Sequence, residues 1–124
     1  MAGTAVRKTY VMLMVADMTR ALKFYTDVFD AAVSFDSPHW SEFTVAGATI
    51  ALHSGGSGAD TQTGLGFEVD DLDAAIQQAG DAGGRVTSPP RDRPGEGIRI
   101  AEIADTEGNH LSVAELRSGG TPHE

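Results

Sequence analysis

Three glutamates stand alone inside apolar runs of this chain: Glu42 in Trp40-Ser41-Glu42-Phe43, Glu68 in Leu65-Gly66-Phe67-Glu68-Val69, and Glu102 in Ile100-Ala101-Glu102-Ile103. Burial among such neighbours would raise a carboxyl pKa toward values useful for acid–base chemistry near neutral pH. His53 and His110 stand at the ends of further apolar runs and are the natural proton partners or metal ligands. The plainer account, and the better supported one, makes each histidine a hydrogen-bonded group at a sheet rim. The side on which Glu102 points is open, since Ile98 and Ile100 share its parity while Ile103 shares the other. Ser41, Ser54 and Ser112 lack the strand-to-helix setting of a nucleophile elbow. Asp70, Asp71 and Asp73 form a dense acidic group, but Asp71 sits where a helix N-cap belongs and its neighbours lie near the positive helix end. Helix electrostatics explains that group without catalysis.

Composition narrows the field further. With no cysteine, thiolate metal sites, disulfides and thiol nucleophiles are excluded. The 124 residues amount to one domain, and 40% apolar residues suffice to fill its core. Eighteen acids against nine bases give a formal charge of −9, which repels nucleic acid phosphates and anionic lipid surfaces. No run approaches the ~18 apolar residues of a membrane span, and the start has no secretory-signal pattern. The expectation is a soluble cytoplasmic protein with no nucleic acid or membrane partner.

The elements that must position these side chains are written twice. Val15-Ala16-Asp17-Met18-Thr19-Arg20-Ala21-Leu22 returns as Val69-Asp70-Asp71-Leu72-Asp73-Ala74-Ala75-Ile76 at a constant offset of 54 residues. Each copy follows a strand-like run, Tyr10 to Val15 and Leu65 to Val69, and each opens a helix at an aspartate cap. Tyr10, Met12 and Met14 share one face of the first strand and Val11, Leu13 and Val15 the other, so this strand is expected to be covered on both sides. The first helix carries the stripe Met18, Ala21, Leu22, Tyr25, Val28, Phe29, and the second Leu72, Ala75, Ile76, Ala79, ending at Gly83-Gly84. Strands are expected at 32–35, 40–45 and 48–53, with a tight hairpin at Ala46-Gly47, and then at 85–87, 98–104 and 110–115. Ser54 to Asp60 reads as a flexible linker and Ser88 to Gly97, with three prolines, as a loop able to serve as a lid. The single domain then divides into a first module at about 8–54, a linker at 55–62, a second module at about 63–116 and a frayed tail at 117–124.

The order βαβββ written twice, the phrase Val69-Asp70-Asp71-Leu72-Asp73-Ala74-Ala75, Tyr25 within Lys23-Phe24-Tyr25-Thr26-Asp27-Val28-Phe29, and the turn Asp105-Thr106-Glu107-Gly108-Asn109 together resemble the vicinal oxygen chelate superfamily. That superfamily includes glyoxalase I, extradiol dioxygenases, fosfomycin-resistance transferases and bleomycin-binding resistance proteins. The resemblance spans roughly residues 8 to 116 and implies an α+β fold in which tandem βαβββ modules form a cupped mixed β-sheet. In metal-dependent members, as the resemblance implies, four strand positions direct His or Glu ligands into the cup. Here they hold Tyr10, Ala51, Gly64 and Ser112, so the usual metal site is expected to be absent, with no cofactor. His53, Glu68 and His110 share the cup-facing parity and form a candidate displaced triad. Two-residue displacements shift side chains by roughly 6.5 Å in different directions, so convergence would be accidental.

Parity then assigns the cup lining. Tyr10, Met12, Met14, Trp40, Glu42, Ala51, His53, Gly64 and Ser112 are the expected ligand-binding residues, with Thr49, Gly66, His110 and Ala114 beside them. Methionines and aromatics supply adaptable apolar contact, although Met12, Met14 and Trp40 could equally fill a closed core. The expected function is metal-independent binding of an organic small molecule, aromatic or cationic, in a homodimer resembling the resistance proteins. The alternative is an enzyme of the superfamily's type, a glyoxalase-like lyase or isomerase or a dioxygenase. It would use the displaced metal or a metal-free Glu/His pair drawn from Glu68, His53, His110 and Glu102.

Overall fold

The computed structural model describes residues 3–117; the tail beyond Arg117 lies outside the described residues. Strand β1 (Val11–Val15) forms where β-branched and long apolar side chains favour a pleated surface. Asp17 then turns the chain into helix α1 (Met18–Phe29), its carboxylate accepting from the Arg20 amide at 3.0 Å. The helix stops at Asp30, which takes the left-handed conformation with φ 52°. A meander of β2 (Ala32–Phe35), β3 (Trp40–Val45) and β4 (Ala48–Ser54) follows, with Ala46 and Gly47 both at positive φ as a two-residue hairpin turn requires. The second half repeats this plan with β5 (Thr61–Glu68), α2 (Leu72–Asp81), β6 (Arg85–Arg93), β7 (Ile98–Ala104) and β8 (Asn109–Leu116). Its cap is Asp71, which accepts from the Ala74 amide at 3.1 Å.

Each half closes its own four-stranded mixed sheet, ordered β1-β4-β3-β2 and β5-β8-β7-β6. The β1–β4 and β5–β8 pairs are parallel and the others antiparallel. The architecture is therefore the expected α+β tandem of βαβββ modules. The register carries the repeat down to single residues. Ala51 lies between Met12 and Glu42, and Ser112 lies between Gly66 and Glu102. Glu42 and Glu102 thus hold equivalent places in the two halves.

One core joins the halves. The helices bury Met18, Ala21, Leu22, Phe24, Tyr25 and Val28 from α1 and Leu72, Ala75 and Ala79 from α2 against the inner faces of both sheets. Tyr25 stacks on Phe43 with centroids 5.0 Å apart, and Phe29 stacks on Phe67 of the other half at 4.1 Å. At one seam between the halves, the β7–β8 turn reaches across. The buried Glu107 carboxylate accepts from the Ala16 and Asp17 amides, each at 2.9 Å, and from Arg20 at 2.8 and 3.0 Å. Beside it, Tyr25 donates to Asp105 at 2.5 Å and the Asn109 side-chain amide donates to the Met14 carbonyl at 3.0 Å.

Three local expectations are corrected. Strand β1 is not covered on both sides: Leu13 and Val15 are buried, but Met12 is 46% and Met14 39% exposed. The reason is that helix α1 covers only one face of its sheet, and the other is the open concave face. Residues 88–93 are strand rather than loop, because β6 is the outer strand of its sheet. Prolines 89 and 90 are tolerated at such an edge, and the register shifts around Ser88 absorb them. The linker is tied down, since the Gly56 amide donates to the Val15 carbonyl at 2.9 Å. A Cβ at Gly56 would stand 2.8 Å from the Val15 nitrogen, so only glycine lets the two chains run this close.

Candidate functional site

On the concave face of the first sheet, cross-strand register sets two short rows of side chains. Phe35, Glu42, Ala51 and Met12 lie side by side, with Trp40, His53 and Met14 on one flank, and Tyr10 projects from just before β1. The Trp40 ring meets Tyr10 edge to face at 5.6 Å and His53 at 5.9 Å. Its indole nitrogen donates to Glu42 at 2.7 Å, and Lys8 closes an ion pair on the other carboxylate oxygen. Ala51 is fully buried beneath Met12 and Glu42, so it forms a floor and offers no contact surface. Tyr10 is 47% exposed and Phe35 55%. The result is an open aromatic and thioether surface around one carboxylate.

The second sheet presents different chemistry at the equivalent places. Glu102 faces Ser112 and accepts from Thr87 at 2.6 Å, while His110 Nδ1 donates to it at 2.9 Å. This settles the direction of Glu102. His110 Nε2 approaches Asp60 at 3.2 Å, an ionic contact without hydrogen-bond alignment, and Gln62 and Arg85 complete the polar surround. Ser112 is accommodated because residue 66 is glycine: a Cβ there would stand 2.7 Å from the serine hydroxyl. Gly64 sits at φ 75° within an irregular stretch of β5 and projects nothing.

The electrostatics overturns one expectation. Rather than being raised by burial, the Glu42 carboxyl is held below its ordinary value by Lys8 and then by the Trp40 indole. Glu102 is likewise lowered, first by the Thr87 hydroxyl and then by His110. His110 is raised chiefly by its bond to Glu102, against the opposing effect of burial. Both carboxylates are therefore ionised and already engaged. Glu68 is exposed at the end of β5.

Of the candidates, Glu102 and His110 are brought together, as are Tyr10, Trp40, Glu42 and His53. The displaced triad is not. Among the described residues no group of three or more His, Cys, Asp or Glu side chains is placed to hold a metal ion. The register gives the cause: His110 pairs with Gln62 on β5, six residues and roughly 20 Å of strand from Glu68, and His53 belongs to the other sheet. Nor do Tyr10, Ala51, Gly64 and Ser112 fit a divalent metal, since they offer two hydroxyls, a buried methyl and no side chain. Phe35, Lys8, Thr87 and Asp60 were not foreseen. Their signal was weak, because long-range pairing of exposed polar or edge residues leaves no periodicity in the chain.

A cavity of about 740 Å³ lies elsewhere. It opens between the β3–β4 hairpin, the end of α1 and the end of β5, with Phe29, Ile50, Leu65 and Phe67 on its walls and Asp30, Glu68 and Asp70 among its lining. Aromatic rings and paired ionisable groups converge on the concave face instead.

Residues 8–113 match the family model described as Glyoxalase/Bleomycin resistance protein/Dioxygenase superfamily. Among crystal structures, the fold is similar to FosX, a fosfomycin resistance protein from Listeria monocytogenes complexed with Mn(II) and sulfate. The TM-score is 0.77 at 18% identity, covering 91% of this chain and 92% of that one. A glyoxalase-related enzyme from Fulvimarina pelagi gives 0.73 at 19% identity over 88% and 87% of the two chains. A glyoxalase/bleomycin resistance protein/dioxygenase from Nocardioides gives 0.68 at 21% over 98% and 91%. No curated protein matches the sequence. At these identities the structural likeness bears on the fold alone.

Proposed function

Because the chain belongs to the glyoxalase/bleomycin resistance protein/dioxygenase superfamily, we propose that it is a metal-independent binder of an organic small molecule on the concave face of its first sheet. The observation that carries this is the cluster of exposed Tyr10, Met12 and Met14 with the half-buried Trp40, set around Glu42 and the buried Ala51 methyl. Offset or edge-to-face contact with two rings adds about 0.5–1.5 kcal/mol per pair beyond area burial, which favours a planar aromatic guest. A cationic group on that guest must compete with Lys8 for Glu42, so the aromatic body contributes more to recognition than the charge. The same reading places the protein in the cytoplasm as a homodimer, with no nucleic acid or membrane partner. Exposed Val33 and Phe35 on the outer strand β2 supply apolar surface for the second copy. Among the described residues no helix is long and apolar enough to cross a membrane.

Trp40 makes the test direct, as it is the chain's one tryptophan. Aromatic ligands should change its fluorescence saturably, and Trp40→Ala should abolish their binding, followed calorimetrically, while the fold is retained. Tight binding of small phosphorylated or carboxylated acids, with no response to aromatic ligands, would refute the reading. The second reading, a metal-free enzyme, is favoured by one observation, the His110–Glu102 pair. It requires turnover that His110→Ala abolishes and that added chelator does not.

A further inference from the structure

The cavity between the halves follows from a difference between the two β-hairpins. Leu52 stands beside Leu13 as Val113 stands beside Phe67, so Ala48 and Asn109 are equivalent, as are Glu68 and Met14. At Asn109 the seam is filled: the four-residue turn Asp105–Gly108 and the first residue of β8 carry Glu107 and Asn109 across to Ala16, Asp17 and Met14. At Ala48 the hairpin turn is only Ala46-Gly47, too short to reach β5, and the equivalent space remains as the 740 Å³ cavity. Its interior wall is the Phe29–Phe67 stack, with rings nearly parallel at 16°.

The charges on this cavity are of one sign. Asp30, Glu68 and Asp70 line it, and none of them has an ion-pair partner among the described residues. Helix α1 also ends there, at the negative end of its dipole, with no basic residue in its last turn to offset it. We propose that this open seam is a second small-molecule site, distinct from the concave face, and that it takes a protonated amine carrying an aromatic ring. The ring packs against Phe29, Phe67 and Leu65, and the ammonium group meets the carboxylates at the rim. A partly open pocket of this size, with apolar walls and a few polar groups, is a common form of small-ligand site. A carboxylate on the same aromatic body meets three like charges and is rejected.

The test titrates the full chain with phenethylamine and with 3-phenylpropionate, following side-chain resonances by nuclear magnetic resonance. Saturable shifts of Val45, Ala48 and Leu65 are expected with the amine, at least tenfold weaker binding is expected for the acid, and Trp40 should not respond. Ala48→Trp, at an exposed position, should block the cavity, and Glu68→Lys, also exposed, should weaken the amine at least tenfold while leaving aromatic binding at Trp40 unchanged. Equal binding of the acid, shifts confined to Trp40, or amine binding indifferent to both substitutions would overturn the proposal. A dimer that buries Ala46 and Ala48 would overturn it too, by making a second chain the occupant. Failure of binding at Trp40 alone bears on the concave face and leaves this site standing.

Discussion

Glu107 shows what a single buried charge does when every lone pair is used. Burial alone would raise its pKa, but the Arg20 guanidinium, the Thr106 hydroxyl and the amides of Asp17 and Ala16 outweigh that and hold it at about 2, against an ordinary 4.5. Because the folded value is depressed, the stabilisation is fully present above about pH 4.5 and is lost as pH falls toward 2. A difference of this size is worth about 3 kcal/mol. Glu107→Gln, which removes the charge and leaves Arg20 facing the seam, is expected to cost about 3 kcal/mol in urea unfolding at pH 7 and much less at pH 2.5. An equal loss at both pH values would show that packing, not charge, sets the effect. The turn holding Glu107 was visible in the sequence as a motif, but its role was not, since its partners lie more than eighty residues away. Glu102 was visible as an isolated carboxylate in an apolar strand, and the inference of a raised pKa failed because Thr87 and His110 reach it across the sheet.

At the level of elements, what was legible follows from local physics and what was not follows from sheet order. Aspartate caps, helix stripes and the Ala46-Gly47 hairpin are decided by residues within a few positions of each other, and they stand where the periodicity places them. The extension of β6 through two prolines depends on its being an outer strand, which no window of sequence contains. The open face of β1 depends on the helix covering one side only, so six alternating apolar residues looked doubly buried when only Leu13 and Val15 are buried. Close strand contact yields a sharper prediction at β5 and β8. Gly66→Ala drives a methyl against the Ser112 hydroxyl and is expected to destabilise by about 1–3 kcal/mol. Ser112→Ala in the same chain should recover most of that loss, because the clash partner is gone. Additive losses in thermal unfolding would place the strain in the backbone instead.

For the whole molecule, two halves with one backbone plan have been given different chemistry: rings and thioethers around Glu42, hydroxyls and an imidazole around Glu102. Tyr10, Ala51, Gly64 and Ser112 carry neither imidazole nor carboxylate, so protein dialysed against zinc, manganese, nickel and iron should hold well under one equivalent of metal per chain. One tightly retained equivalent, lost in His110→Ala, would disprove this. The unequal hairpin turns also govern how the halves move. Where the β7–β8 turn crosses, the halves are fastened by directional bonds from a buried carboxylate; at the opposite seam the contact is apolar and non-directional, centred on the Phe29–Phe67 stack. The halves are therefore expected to move like a door hung on one jamb, least at Glu107 and most at the edge formed by Ala46 to Ala48 and Glu68 to Asp70. Amide hydrogen exchange should record that gradient, slow at Ala16 and Asp17 and fast at Asp70 and Asp71, although the two pairs occupy the same place in their repeats.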